Sequence, residues 1–336
     1  MRSGVIFAVV LAALVACGAA AQRWGILRGA KPIVASAKAP RGSEWYVSYN
    51  RGGIDLHLLS QDLHGSMQAA KDADVLFVGN SRVMFAFRQP ALKPFFARLG
   101  LRYYVLAFPY AERNLFAEAL IQRHDLRPRW MIVNSDPFFV DRVSGVAEDA
   151  LRSNPFSAWK LQLETATAFS VQHRLHALVP HWAPTGHERD WVLFRSYGDG
   201  TTHVGAVKGT PRPAKLQLKG RFAHVTAEQL EAARRFKLDA NRRGCRLVFT
   251  SIPPRSPDLA RELGGALRVP VVLPEVPKLM TCDGSHLDDA SARRYAEAFL
   301  SELEPILAGR ANPIPLPATL PFRLGPRGTA EADDDD

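Results

Sequence analysis

From Asp74 onward the chain alternates short, uninterrupted apolar runs with stretches of helical period, and few folds accommodate such a rhythm. Val75 to Val78 is apolar throughout, too short for a helix and without the polar alternation of a half-exposed strand, so it reads as a strand covered on both faces. Pro90 then stands where a first helical turn tolerates proline; Leu92, Phe95, Phe96 and Leu99 share one face, and Gly100 supplies the stop. Tyr103 to Phe108 reads as a second strand, and Asn114 to His124 as a helix with Leu115, Phe116, Ala119 and Leu120 inward. Trp130 to Val133 is a third strand. Strands and helices in alternation, joined by short links, imply right-handed crossovers and a parallel sheet.

The rhythm lapses between about residues 140 and 224, a proline-rich stretch with Trp159, Trp182 and Trp191. Within it, Trp191 to Tyr197 and His203 to Val207 flank Gly198-Asp199-Gly200 as a hairpin. Leaving from the end of the third strand, this insertion is expected to shield the sheet or to form a lid over a site. Order resumes with a capping box, Thr226 to Gln229, opening a helix that runs to Arg243 and stops at Gly244. Arg246 to Ile252 and Val269 to Leu273 read as fourth and fifth strands. A last helix is capped by Asp288 and carries Ala292, Tyr295, Ala296, Phe299, Leu300, Leu303, Ile306 and Leu307 on one stripe. The fold expected is a three-layer α/β/α domain with a flavodoxin-like, five-stranded parallel sheet over residues 71–308, preceded by a leader at 22–70 that holds a short helix around Asp55 to Ala70. Residues 309–336, proline-rich and ending in Asp333 to Asp336, read as a disordered tail.

Residues 1–21 have the shape of an export signal: Arg2, then an apolar run from Val5, then small residues. Three fates are open, namely a lipoprotein cut before Cys17, cleavage after Ala19-Ala20-Ala21, or retention as an anchor at the short limit for a span. All three place the remaining chain outside the cytoplasm, periplasmic or otherwise extracytoplasmic. The formal net charge of +10 reads either as a solvated basic surface without a dedicated partner or as suited to an anionic neighbour such as an envelope polymer or a membrane surface. Nucleic acid is not expected, because zinc-finger spacing, an RNP motif and a basic helical stripe are all missing. Of the cysteines, Cys245 and Cys282 are placed too far apart along the fold to bridge and are expected to be free thiols.

Two motifs carry chemistry. Gly79-Asn80-Ser81-Arg82 follows the first strand directly, which places a serine hydroxyl in the crevice at the carboxyl end of an open sheet. Some two hundred residues on, Asp283-Gly284-Ser285-His286 precedes the last helix, and its spacing lets one loop supply an imidazole and the carboxylate that orients it. Read singly, Ser81 is a helix-capping hydroxyl and the Asp283–His286 pair a polar cap. Val83 stands where an α/β-hydrolase elbow has its second glycine, which excludes that class. His173 and His176 have metal-like spacing without a third ligand, and no metal or cofactor is expected.

Over residues 70–308 the order of these blocks resembles the SGNH or GDSL-type hydrolase superfamily. The resemblance implies that Ser81 attacks an acyl carbonyl, His286 moves its proton, and Asp283 holds the imidazole tautomer. It also implies an oxyanion hole of the serine amide, a glycine after the second strand and an asparagine after the third. Here Ala107 replaces the glycine and would offer its backbone N–H, and Asn134 offers its side chain, whereas Asp136 in that slot would be an acceptor. Arg82 is a candidate partner for an anionic substrate. The export segment and the Ser251-Ile252-Pro253-Pro254 run look closest to SGNH-like proteins that modify bacterial envelope polymers. Two functions follow: an exported esterase or acyltransferase acting on an acylated glycan, or a non-catalytic module of the same fold that binds anionic polysaccharide or a membrane partner.

Overall fold

The computed structural model describes residues 40–41, 44–48, 54–108, 112–178, 192–206, 212–214, 224–255 and 257–309. The readings of the export segment, of Cys17 and of the terminal tail lie outside these residues. The side chains of His173 and His176 also lie outside them.

The fold is mixed α/β around a four-stranded parallel sheet. Its strands are β2 (Val75–Gly79), β3 (Tyr103–Ala107), β4 (Trp130–Asn134) and β8 (Arg246–Thr250), in the order β3-β2-β4-β8. Every residue of β2 and β4 is buried, as their continuous apolar runs require. In-register pairing sets Val75 beside both Tyr103 and Trp130, and Trp130 beside Arg246, so the strands present their carboxyl ends along one rim. Side chains alternate across the sheet. Leu76, Val78, Met131, Val133 and Phe249 pack on one face with Phe116 and Leu120 of α5 (Asn114–Arg123), Phe236 of α8 (Ala227–Arg242) and Leu263 of α9 (Asp258–Leu267). Val75, Phe77, Ile132 and Val248 pack on the other with Phe96 of α4 (Gln89–Leu99) and with Tyr295 and Phe299 of α10 (Asp289–Leu307).

Local signals place the helix ends well. Gly100 closes α4 in the left-handed region at φ 64°, the Thr226–Gln229 capping box opens α8, and the Asp288 side chain accepts from Ser291 N at the start of α10. Three expectations need correction. The inward stripe of α5 is Phe116, Ala117, Leu120 and Ile121; the chain offers Leu115 as well, and packing against the sheet selects the neighbouring stripe. The fifth strand reduces to one parallel bridge, Phe249 to Val271. Pro270 and Pro274 lack the N–H that a ladder needs, so only Phe249 N to Pro270 O and Val272 N to Phe249 O form, at 2.8 and 2.9 Å. The leader's single helix is broken into α1 (Ile54–Ser60) and α2 (Ser66–Lys71), with Asp62, His64 and Gly65 at positive φ between them.

The leader and the insertion join. β1 (Trp45–Ser48) pairs antiparallel with β5 (Val192–Ser196), which pairs with β6 (Thr202–Ala206) to complete the expected hairpin. This small sheet abuts the free edge of β3. Val105 N donates to Asp199 O at 2.8 Å, and Gly200 sits so close that a Cβ would lie 2.4 Å from Val105 O. The described hairpin therefore closes a sheet edge.

Candidate active site

β2 ends on Gly79 because the next turn of chain folds back on it. A Cβ there would lie 2.6 Å from Val83 Cγ2 and 3.0 Å from Asn134 Cβ, so only glycine lets α3 (Ser81–Ala86) start directly at the strand's end. Asn80 is the cap: its Oδ1 accepts from Arg82 N at 3.1 Å, and its Nδ2 donates to Asp136 O at 2.9 Å. Val83 N returns to Asn80 O. Ser81 thus occupies the first helical position, where a backbone N–H has no acceptor within the helix.

The partner loop is stapled at both ends. Thr281, which ends β9 (Met280–Thr281), bridges antiparallel to Leu287; Cys282 N donates to His286 O, and Asp288 N to Met280 O. Within it Asp283 Oδ1 accepts from Ser285 N and His286 N, each at 2.8 Å, and Gly284 takes φ 92° to make the turn. The other carboxylate oxygen meets His286 Nδ1 at 2.8 Å, and His286 Nε2 meets Ser81 Oγ at 2.8 Å. Ser81, His286 and Asp283 are therefore brought into one hydrogen-bonded line across 205 residues of separation between serine and histidine. The Phe85 ring lies 4.6 Å from the imidazole and limits its tilt.

Burial pushes the Asp283 carboxyl up, but the hydrogen bonds from His286 and from the Ser285 and His286 amides, with the imidazole's charge, outweigh it and hold the pKa at about 2. The carboxylate is the acceptor in the line, so Nδ1 carries the proton and Nε2 is left to accept from the serine hydroxyl. A depressed carboxyl pKa contributes stability above its ordinary value of 3.8 that is lost as pH falls through about 2. Wild type should gain about 2 kcal/mol of unfolding free energy between these limits that Asp283→Asn does not. Urea unfolding of both chains at several pH values checks this, and equal pH slopes would contradict the bonding described for Asp283.

The oxyanion candidates come out differently. Ala107 ends β3 in register with Gly79, but its carbonyl accepts from Arg195 Nη1 on the hairpin side at 2.8 Å. A strand residue's N–H and C=O point the same way, so the Ala107 amide faces away from Ser81, and Phe108 N donates toward β2 instead, to Gly79 O. Asn134 is fully buried and works as a strut: Nδ2 donates to Asn80 Oδ1 at 3.1 Å, and Oδ1 accepts from Ile252 N at 3.2 Å. Arg82 is also largely built in. Its Nη1 meets Asp136 Oδ2 and its Nη2 meets Ser285 Oγ, both at 3.1 Å, so it ties the serine segment to the acid–base loop. Sequence reasoning missed Asn80 as the cap and Asp136 as Arg82's partner. The Asn80 role was available from its place before a helix start, but the Asp136 pairing spans 54 residues and had no local signal.

Cys245 and Cys282 are both free, as expected, and burial pushes their thiols up to about 11 and about 12. Among the described residues no group of three His, Cys, Asp or Glu side chains is placed to hold a metal ion, and no helix is long and apolar enough to cross a membrane. No family model, curated protein or solved structure matches the chain.

Proposed function

We propose that this chain is an exported, serine-dependent esterase or acyltransferase of the SGNH type, acting on ester-linked groups of a cell-envelope glycan. In this reading the sheet is the core of a three-layer, flavodoxin-like α/β/α domain, with the Val271 segment in the place of a fifth strand. The observation that carries the proposal is the continuous Ser81–His286–Asp283 line at the carboxyl rim of a parallel sheet. Export rests on the apolar stretch from Val5 to Ala21, and the envelope substrate on that stretch together with the basic charge.

The chemistry runs as acyl transfer. His286 Nε2 takes the Ser81 proton as Oγ attacks the acyl carbon, and Asp283 stabilises the imidazolium that forms. The Ser81 N–H faces the developing oxyanion. His286 then protonates the leaving alkoxide, and water or a sugar hydroxyl releases the acyl group by the reverse sequence. Since Ala107 and Asn134 are turned to other work, the hole is sparse, which suits a slow or specialised transferase. A 2.8 Å contact between Ser81 and His286 weighs against a purely binding module, for which that distance would be long.

A fluorophosphonate probe should label the wild-type chain at Ser81, located by peptide mass spectrometry. Well-folded protein that takes up no probe at Ser81 would refute the catalytic reading.

A further inference from the structure

The turn that carries His286 is braced from within. Asp283 Oδ1 accepts from the Ser285 and His286 amides, Gly284 N donates to Thr281 Oγ1 at 3.1 Å, and Cys282 N donates to His286 O at 2.9 Å. Each of these bonds joins two residues of the same turn. They set its shape and leave open where it stands relative to Ser81.

Arg82 supplies the outside reference. Its Nη2 donates to Ser285 Oγ at 3.1 Å, while His286 Nε2 meets Ser81 Oγ at 2.8 Å. Ser81 adjoins Arg82 in the chain and Ser285 adjoins His286, so these contacts are neighbouring rungs between the same two segments. A single rung lets the imidazole swing about its bond; a second fixes its direction as well as its distance. Arg82 is held in turn from β4. Its Nη1 meets Asp136 Oδ2 at 3.1 Å, and the Asp136 carbonyl accepts from Asn80 Nδ2 at 2.9 Å, so Asp136 takes hold of both neighbours of Ser81. A guanidinium is planar with its donors at fixed angles, and pinning one end on Asp136 therefore aims the other at Ser285. The Arg82 side chain is 9% exposed and that of Asp136 4%, a setting in which a charge-assisted bond is stronger than in water.

We propose that Arg82 and Ser285 are positioning residues: Asp136 orients Arg82, Arg82 anchors Ser285, and Ser285 sets His286 Nε2 at working distance from Ser81 Oγ. This rests on the acyl-transfer reading and deepens it. Two carboxylates then govern the imidazole, Asp283 by bonding to it directly and Asp136 by fixing where its turn sits.

Ser285→Ala in the full chain is the direct test, because it removes one half-buried hydroxyl and leaves the bonds within the turn in place. With 4-nitrophenyl acetate, kcat should fall roughly ten- to hundredfold, the range expected when a catalytic group is displaced by about 1 Å, with KM within about twofold. Ser285→Thr, which keeps the hydroxyl, should recover part of the loss. Arg82→Lys, whose single ammonium lacks the fork, should fall in the same range, and adding Ser285→Ala to it should cost less than about threefold more. A second readout needs no turnover: the low-field proton resonance of His286 Nδ1–H, identified by its loss in His286→Ala, should broaden or exchange faster in Ser285→Ala at an unchanged urea midpoint. A kcat for Ser285→Ala within twofold of wild type, multiplying losses in the double variant, or an unmoved ring proton would overturn the proposal. Fluorophosphonate labelling of the wild type keeps the two readings apart. If the wild type takes no label, the acyl-transfer reading falls and the ring proton alone decides whether Arg82 and Ser285 place the imidazole.

Discussion

Ser81→Ala should lower kcat/KM for an activated ester such as 4-nitrophenyl acetate by on the order of 10⁴- to 10⁶-fold, and His286→Ala by a similar factor. The reason is the single line of hydrogen bonds from Ser81 Oγ through His286 to Asp283 Oδ2. Without the imidazole the hydroxyl keeps its proton, and without the hydroxyl the imidazole has nothing to activate. The two groups act as a unit, so the double variant Ser81→Ala, His286→Ala should be no slower than either single one, within about threefold. Steady-state rates of all four chains, with folding verified by circular dichroism, give the answer. A Ser81→Ala chain within tenfold of wild type, or clearly additive losses in the double variant, would show that turnover at this site does not use the line described.

The second large effect lies away from the site. Arg195→Met should cost about 3 to 5 kcal/mol of stability. Arg195 is fully buried and makes hydrogen bonds to three carbonyls, Val105, Ala107 and Gly200, at 2.7, 2.8 and 3.2 Å. It also stands 3.6 Å from Asp55 Oδ2, and Asp55 accepts from Tyr46 OH and Ser48 Oγ. Methionine of similar volume would fill the space but leave edge carbonyls without donors and a buried carboxylate without its cation. The midpoint of urea unfolding should fall with little change in slope. Adding Asp55→Asn to Arg195→Met should then cost less than the sum of the single changes, since the stranded charge is gone. A loss below about 1 kcal/mol for Arg195→Met would mean that the leader and hairpin are not held to β3 through this residue.

Arg195 also marks where reading along the chain stops working. Its neighbours Leu193 and Phe194 identify a strand, but nothing near position 195 announces that a guanidinium will be buried against the backbone of a strand some ninety residues earlier. The leader is similar. Ile54, Leu56, Leu58 and Leu59 have no clean period of their own because they face two directions at once, toward the main core and toward Tyr46 and the hairpin. By contrast, the Thr226 capping box, the Asp288 cap and the Gly100 stop were legible because a helix end is decided by a few adjacent residues.

The site divides along the same line. Ser81, Asp283 and His286 were visible as residues because their spacing is local: a serine two residues beyond the end of a strand, and a carboxylate three residues before an imidazole inside a stapled turn. Ala107 and Asn134 were assigned by slot, and here packing overruled the slot. The direction of the Ala107 amide is set by strand pleat and by Arg195, and the Asn134 amide is claimed by Asn80, partners 88 and 54 residues away. Short-range chemistry in this chain is enough to choose strands, helix ends and reactive side chains, because those depend on a handful of neighbours. Which donors face the developing oxyanion, and which charges share a crevice, depends on groups that only folding brings within 3 or 4 Å, where hydrogen bonding and charge pairing take effect.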